Sequence, residues 1–334
     1  MQHVRLADLP WDEWGSPGGT FKAAGQQVSA ALGAAYEAPL HRGGHPFDLE
    51  IGRIPPGKSG CPFHSHAAQW EFFYVVAGQG TVRYADQRRD VRAGDAFMHP
   101  PGEAHQLINT GDEELFYYLV ADNPPVDYYY YPDSDKWGIS GGGFFKRQDI
   151  AYFAGEEPGA ATAPKPRPPQ DPREPLARFV HVPDMPWESR FSPGGRYGSY
   201  FRDLSLAVGG KRNCDVARGG HPFDVQIRRI PAGKAVCPFH SHSVQWELFV
   251  FLSGRAEVRS GDETHEVTAG DAVMQPPGTP HQTHNPGPDD LEIMIITDNP
   301  ADECCYYPDS DKHASRSLGK VFRLNEVDYF DGEE

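Results

Sequence analysis

Apolar residues fall along this chain in short runs of strand length, cut at close intervals by Gly and Pro. Residues 47–54, 63–66, 70–77, 81–84, 96–99, 104–109 and 115–121 are such runs and are predicted to be extended. Breaks at Pro55-Pro56-Gly57, Gly78-Gln79-Gly80, Ala93-Gly94-Asp95, Pro100-Pro101-Gly102 and Gly111-Asp112 supply the residues that tight turns require. One turn of helix is expected near 30–37, and no longer stretch keeps a helical period. The pattern predicts an all-β unit closing into a sandwich or barrel.

The unit is written twice. Pro10-Trp11 returns as Pro186-Trp187, His45-Pro46-Phe47-Asp48 as His221-Pro222-Phe223-Asp224, and Asp122-Asn123-Pro124 as Asp298-Asn299-Pro300, each 176 positions on. The offset holds from Trp11 to Lys136 and reaches 177 only at Tyr152-Phe153, matched by Tyr329-Phe330. Two copies of one fold, loops included, are therefore expected. The expected domains are residues 1–155 and 179–334, joined by a Pro-rich strap over 156–178 that has no apolar period to pack.

Composition narrows the function classes. The 334 residues include 36 Gly and 32 Pro, as a turn-rich β protein requires. A formal net charge of −16 with no basic cluster argues against nucleic acid and against an anionic membrane surface as partners. The N-terminal residues carry no apolar signal core and no run approaches a membrane span, so a cytoplasmic location is expected. The five cysteines, Cys61, Cys214, Cys237, Cys304 and Cys305, show no framework spacing and read as reduced thiols.

Chemistry concentrates in His64-Ser65-His66-Ala67-Ala68-Gln69-Trp70-Glu71 and its copy His240-Ser241-His242-Ser243-Val244-Gln245-Trp246-Glu247. In a strand, alternate side chains share a face, so the two histidines of each stretch lie side by side, where two imidazoles can bind a divalent ion. Downstream stand Gly78, Gly94, Pro100, Gly102, His105 and Asn109, repeated as Gly254, Gly270, Pro276, Gly278, His281 and Asn285. In these two blocks the chain resembles the cupin superfamily, with neither copy missing a position. The resemblance implies two tandem jelly-roll (double-stranded β-helix) barrels. It also implies two metal sites, His64, His66, Glu71 and His105 in the first, and His240, His242, Glu247 and His281 in the second. One divalent ion per domain is expected, with Fe, Mn, Ni and Zn all compatible. Such a site carries a net charge of about +1 and favours an anionic or enolisable ligand. Four protein ligands also suit an ion that only holds a barrel together.

Other residues are candidates by position. His99, whose counterpart is Gln275, is the candidate acid–base group of the first domain. Gln69, Gln245, Asn109, Asn285, Phe73 and Phe97 are expected to contact a substrate or support the ligands, with Leu107 and Phe116 also lining the pocket. Strand parity places Cys61 and Cys237 opposite the metal-binding face, as buried thiols. His45 and His221 are expected as loop anchors at a barrel mouth. Arg53 and Arg229 suit either a carboxylate in the cavity or a cross-strand ion pair. The run Tyr128 to Tyr131 suits a domain or dimer contact, a second copy of the chain being a candidate partner.

The leading functional expectation is a metal-dependent dioxygenase-like oxidoreductase acting on a small organic substrate. The alternative is a non-redox isomerase, epimerase, decarboxylase or lyase on a sugar or organic acid, and the third is a small-molecule binder without turnover.

Overall fold

The computed structural model describes residues 1–36, 38–156, 158 and 178–333. Most of the expected strap, residues 159–177, lies outside them. The expected strands form, with Phe47–Ile54 as read and Glu71–Ala77, Asp95–His99, His105–Ile108 and Leu115–Asp122 shifted by a residue or so. Residues 63–66 shrink to the two-residue strand Ser65–His66, and the helical turn expected near 30–37 lies earlier, over Val28–Ala31, with residues 32–36 outside any helix. Polar or short runs escaped the sequence pattern, among them Gln87–Arg92, Lys22–Gln27, Asp12–Gly15 and Lys136–Ile139. Among the described residues no helix is long and apolar enough to cross a membrane.

Each repeat builds an antiparallel barrel from a large sheet and smaller ones facing it. In the first repeat the seven-stranded sheet runs Arg178–His181, Asp95–His99, Glu71–Ala77, Leu115–Asp122, Phe47–Ile54, Lys22–Gln27, Asp12–Gly15. A three-stranded sheet, His105–Ile108, Gln79–Tyr84, Gln87–Arg92, forms the opposite wall. The second repeat is built the same way, from Glu247–Ser253, Asp271–Gln275 and their neighbours. This is the all-β architecture expected.

One strand of each large sheet comes from the other repeat. Arg178–His181, which opens the second repeat, pairs with Asp95–His99, placing Phe179 opposite Phe97. Reciprocally Gln2–Arg5 pairs with Asp271–Gln275, placing His3 opposite Val273. The exchange covers an edge that would otherwise present open N–H and C=O groups to solvent. It continues past the strands, with Leu6 N donating to Gly270 O and Val182 N to Gly94 O, both at 2.8 Å.

The large sheets are buried on both faces. Facing each barrel's own interior are Phe73, Val75, Phe97 and Leu115 in the first repeat and Phe249, Phe251, Val273 and Leu291 in the second. Alternate residues point the other way and join a single apolar cluster shared by both repeats, including Phe47, Leu49, Phe72, Phe223, Val225 and Leu248. Phe47 and Phe223, both 0% exposed, meet across the seam with ring centroids 6.4 Å apart. Burying a side chain of this kind contributes roughly 1.5–3 kcal/mol, so the seam ties the barrels into one hydrophobic structure. His45 and His221 also lie here, packed on Trp246 and Trp70 at 4.9 and 5.1 Å, and not at a barrel mouth as expected. Their rings are buried with Nδ1 unpaired, and burial lowers each pKa to about 4.

Candidate metal centres

The His-x-His strand is held from two sides. Ser65–His66 pairs with Tyr128–Tyr131, with His66 opposite Tyr129. The turn that closes Asp95–His99 then clasps it, Gly102 N donating to His66 O at 2.7 Å. Gly102 adopts φ 86°, a left-handed conformation open to glycine and costly for other residues, which explains the Pro-x-Gly pattern. His64 and His105 exchange backbone hydrogen bonds at 3.1 and 2.7 Å, so the third histidine is registered directly against the first. Glu71 shares the inward parity of Phe73 and Val75 on Glu71–Ala77.

These placements bring the ligand atoms of His64, His66, Glu71 and His105 within 4.8 Å of one another, and likewise those of His240, His242, Glu247 and His281. The outer nitrogen of every ring is occupied. His64 Nδ1 donates to Pro62 O at 2.9 Å, His105 Nδ1 to Glu103 O at 3.2 Å, and His66 Nδ1 to Asp127 Oδ2 at 2.6 Å. In the second centre His240 Nδ1 donates to Pro238 O at 3.0 Å, His281 Nδ1 to Thr279 O at 3.0 Å, and His242 Nδ1 faces Glu303 Oε1 at 3.3 Å. A backbone carbonyl only accepts, so the proton of a neutral ring sits on Nδ1 and Nε2 is left as an inward lone pair.

The inner atoms are a buried cluster of imidazole nitrogens and carboxylate oxygens. Burial opposes charge on His66 and His242, yet Glu71 and Glu247 raise the pKa of both rings. His64 and His66 bring Nε2 to within 3.0 Å of Nε2, and His105 Nε2 lies 2.5 Å from Glu71 Oε2. The second centre matches, at 3.1 Å between His240 and His242 and 2.8 Å from His281 to Glu247. Burial, with His105 and His66 adding to it, lowers the His64 pKa to about 3, so that ring stays neutral. Burial opposes the charge of Glu71, yet His66 and His105 hold its carboxyl well below the usual range. Three imidazoles and a carboxylate brought together in an interior need positive charge among them, which protons on His66 and His242 or a bound cation supply. Three imidazoles and one carboxylate suit a divalent transition ion or zinc, and the tied Nδ1 atoms are what such a site needs to fix ring orientation. The residues fit the ion they are expected to hold.

A cavity of about 660 Å³ opens onto the first centre. His64, His66, Glu71 and His105 form its floor, and Phe73, Leu107 and Tyr117 are among its walls. Tyr129 and Tyr131 line it too, Tyr129 edge-on to His66 at 5.3 Å and Tyr131 stacked on His64 at 5.9 Å. The tyrosine run is thus a cavity wall and not the domain contact expected, because its alternate rings face inward. Tyr130 turns away onto Trp137.

Several candidates lie elsewhere. His99 is 1% exposed and does not line the cavity; it stacks flat behind His105, centroids 4.2 Å apart, with Nδ1 3.1 Å from Glu103 Oε1. Phe97 stacks on Phe73 and on Phe179 of the exchanged strand, one layer behind the wall, and Phe116 packs outside on Trp11. Asn109 is a turn staple, donating to Ile54 O and Glu113 O and accepting from Gly111 N, and Asn285 repeats this with Ile230 O, Asp289 O and Gly287 N. Gln69 touches the cavity, but its amide donates to Asp122 O at 2.7 Å, as that of Gln245 does to Asp298 O at 2.6 Å.

Cys61 lines the cavity, with Sγ 3.5 Å from His64 Nδ1, and Cys237 holds the same distance to His240. Parity failed for both because residues 61–63 are bends, not strand. Arg53 and Arg229 face outward, paired with Glu13 at 3.2 Å and Glu292 at 2.7 Å over Trp11 and Trp187. Asp127 and Glu303 were missed. Their signal is position alone, since each stands just before the strand that covers the His-x-His pair.

The cupin-domain family profile matches residues 50–121 and 226–297. Auxin-binding protein 1 of Arabidopsis thaliana is 28% identical over 137 residues, 38% of this chain and 62% of that protein. An oxalate-binding protein of Thermotoga maritima is 34% identical over 68 residues, 20% of this chain and 55% of that protein. The matches thus span a little over half the length of these curated relatives. Among solved structures, the oxalate decarboxylase of Lactobacillus farciminis in complex with formate superposes with a TM-score of 0.53 at 14% identity, over 90% of this chain and 86% of that one. A putative glyoxylate-induced protein of Pseudomonas aeruginosa gives 0.53 at 15% identity, over 89% and 84%. With one profile match in each repeat and a His₃Glu cluster in each barrel, the chain carries two cupin domains in tandem, as a bicupin.

Proposed function

We propose that this bicupin is a metal-dependent enzyme acting on a small organic acid without net oxidation, in the decarboxylase or lyase class. The observation that carries the metal dependence is the convergence of three imidazole Nε2 atoms and a carboxylate in each centre, with every Nδ1 held on the outer side. The organic-acid class is supported by the sequence match to an oxalate-binding protein and by the cationic character of a His₃Glu centre holding a divalent ion. These favour the second of the earlier expectations over the oxygenase.

When bound, a divalent ion supplies Lewis-acid polarisation of a coordinated carboxylate or carbonyl oxygen. The chain's own groups do the rest. Asp127 and Glu303 hold the His66 and His242 rings with Nε2 inward. Phe73, Leu107 and Tyr117 give the first cavity aromatic and aliphatic walls beside the centre. Tyr131 and Tyr307 stack on the first histidine of each centre at 5.9 Å. Burial, reinforced by the nearby thiols, raises both phenols to about 12, so each stays a proton donor beside the ligand. His99, behind His105, is assigned to positioning that ring and not to proton transfer with substrate.

The test is metal analysis of the purified chain followed by turnover assays on C2 to C5 oxo-, hydroxy- and dicarboxylic acids, with oxygen uptake recorded. Metal-dependent release of carbon dioxide or of an eliminated product, without oxygen consumption, is expected. Oxygen consumed in proportion to substrate would return the oxygenase reading, and a metal-loaded chain that neither binds nor converts any acid would overturn the proposal.

A further inference from the structure

The two barrels differ most where the strand beside the centre faces inward. On Phe47–Ile54 the inward positions include Asp48, Glu50 and Ile54, all lining the first cavity, and Gly52 shares their parity. A side chain at Gly52 is excluded, because a Cβ there would lie 2.2 Å from the ring of Tyr117. At Gly25, directly opposite in the register, a Cβ would fall 2.6 Å from Glu50 Oε1, so a side chain there would displace the Glu50 carboxylate. Two facing glycines thus make room for a carboxylate and a phenol.

In the second barrel the same cross-strand pair is Phe201 and Arg228, Glu50 is replaced by Gln226, and Tyr117 by Ile293. Arg228 lies on the inward face with Ile230, which belongs to that barrel's interior cluster. Its guanidinium donates from Nε and Nη2 to Gln226 Oε1 at 3.2 and 2.9 Å, leaving Nη1 without a hydrogen-bond partner among the described residues. The carboxylate nearest in the network, Asp203, is already taken by Arg212 at 3.0 Å and Gln226 at 2.9 Å. Burial lowers the Arg228 pKa from its ordinary value, and Cys237 and Glu247 at the floor of the centre oppose that shift. Relative to the first barrel, replacing Glu50 by Gln226 removes a negative charge and replacing Gly52 by Arg228 adds a positive one.

We infer that the two centres take different ligands, and that Arg228 makes the C-terminal centre the carboxylate site. This rests on the organic-acid reading above and specifies where it operates. A planar guanidinium whose only hydrogen-bond partner among the described residues is a neutral amide is suited to bind a carboxylate through two N–H groups. A small mono- or dicarboxylate held between Arg228 and the centre satisfies both positive groups. Phe201, with its ring 5.9 Å from Arg228 and 5.2 Å from Arg212, adds bulk where the first barrel has Gly25 and restricts that ligand to a few carbons. The first cavity, whose wall carries Asp48, Glu50 and Arg42 and has no counterpart of Arg228, disfavours a free carboxylate and takes a larger uncharged or basic molecule.

The test is calorimetric titration of the full chain, both centres filled with Mn(II) as verified by elemental analysis, using oxalate as the probe. One tight equivalent per chain is expected, weakened roughly tenfold to a hundredfold by Arg228→Gln. Two ions should remain bound in that variant, which excludes misfolding as the cause. Gln226→Glu, which gives the guanidinium a carboxylate partner, should weaken oxalate comparably while keeping the arginine. Unchanged affinity in both variants, or loss of the tight equivalent in His66→Ala with retention in His242→Ala, overturns the inference while leaving the organic-acid reading intact. No binding of oxalate to the Mn(II)-filled wild type, together with no turnover of any acid in the panel above, overturns both.

Discussion

The two barrels share a backbone and a ligand set but not an interior. Residue for residue the His₃Glu centres match, down to Nδ1 contacts of 2.9 and 3.0 Å from the first histidine of each to a proline carbonyl. One layer out they part. Behind the third histidine stands His99 in the first barrel and Gln275 in the second, each with polar atoms left unpaired. Beneath the second histidine, Asp127 and Tyr129 become Glu303 and Cys305, the latter with Sγ 3.6 Å from His242 Nδ1. On the wall, Gly25, Glu50, Gly52 and Tyr117 become Phe201, Gln226, Arg228 and Ile293. Metal ligation constrains donor type and angle tightly and so is kept in both copies. Shape and charge of the cavity constrain only the ligand, and there the copies have separated.

Four experiments sharpen or break this comparison. The largest effect is expected from the ligands themselves. His66→Ala and His242→Ala should each remove one of the two ions, read by elemental analysis, and only the second should abolish organic-acid turnover. Equal loss of turnover in both would mean that the barrels act together.

Next is the shared seam. Phe47→Ala and Phe223→Ala should each cost about 3–5 kcal/mol in denaturant unfolding, since a large buried ring is lost from a packed interior. The two should also act alike on both halves, because the apolar cluster is common to them. A variant that unfolds one barrel and leaves the other intact would contradict a single cooperative structure.

Third come the carboxylates behind the rings. Asp127→Asn should weaken the first ion roughly tenfold to a hundredfold, measured by competition with a chelator. Glu303→Gln should weaken the second less, because Cys305 still faces His242 Nδ1. A larger effect at Glu303 would show that the thiol gives no support.

The smallest effect concerns acid. His45 and His221 titrate near 4 when folded and near 6.5 when unfolded, so between those values the unfolded chain binds the extra protons. Their contribution to stability is intact above about 6.5 and falls as the pH drops towards 4. Asp122 and Asp298, raised to about 7 by burial, act in the opposite direction over the range down to their unfolded value. The reading is therefore a difference, with the His45→Asn, His221→Asn double variant losing less stability than wild type between pH 7 and pH 4.5. Equal losses would mean that these rings are solvated in the folded chain.

Much of this was legible in the chain and some was not. The duplication, the all-β pattern and the two four-residue ligand sets follow from local spacing, because turns and alternation act within a few residues. Arg228 shows where that logic stops. The sequence offered Arg229 for a carboxylate, yet Arg229 points out to Glu292 and its neighbour points in. Alternation says that the two differ in facing but not which faces which. Phe223, Val225 and Ile227 make the apolar face, which lies in the seam, while Asp224, Gln226 and Arg228 share the barrel side with Ile230. The rule that an apolar face lines its own barrel therefore points the wrong way. His99 misled for a related reason, since shared parity with the cavity does not put a side chain in its front layer.

What the sequence determined by itself is the repeated unit and the identity of its metal-binding residues, which sit close together along the chain and obey strand period. What only the tertiary structure decided is the exchange of Gln2–Arg5 and Arg178–His181 between barrels, the face that each strand of the seam turns inward, and the groups standing behind the ligands. These depend on pairings between residues far apart in sequence, and a four-residue strand fits either repeat's open edge until packing across the seam selects one.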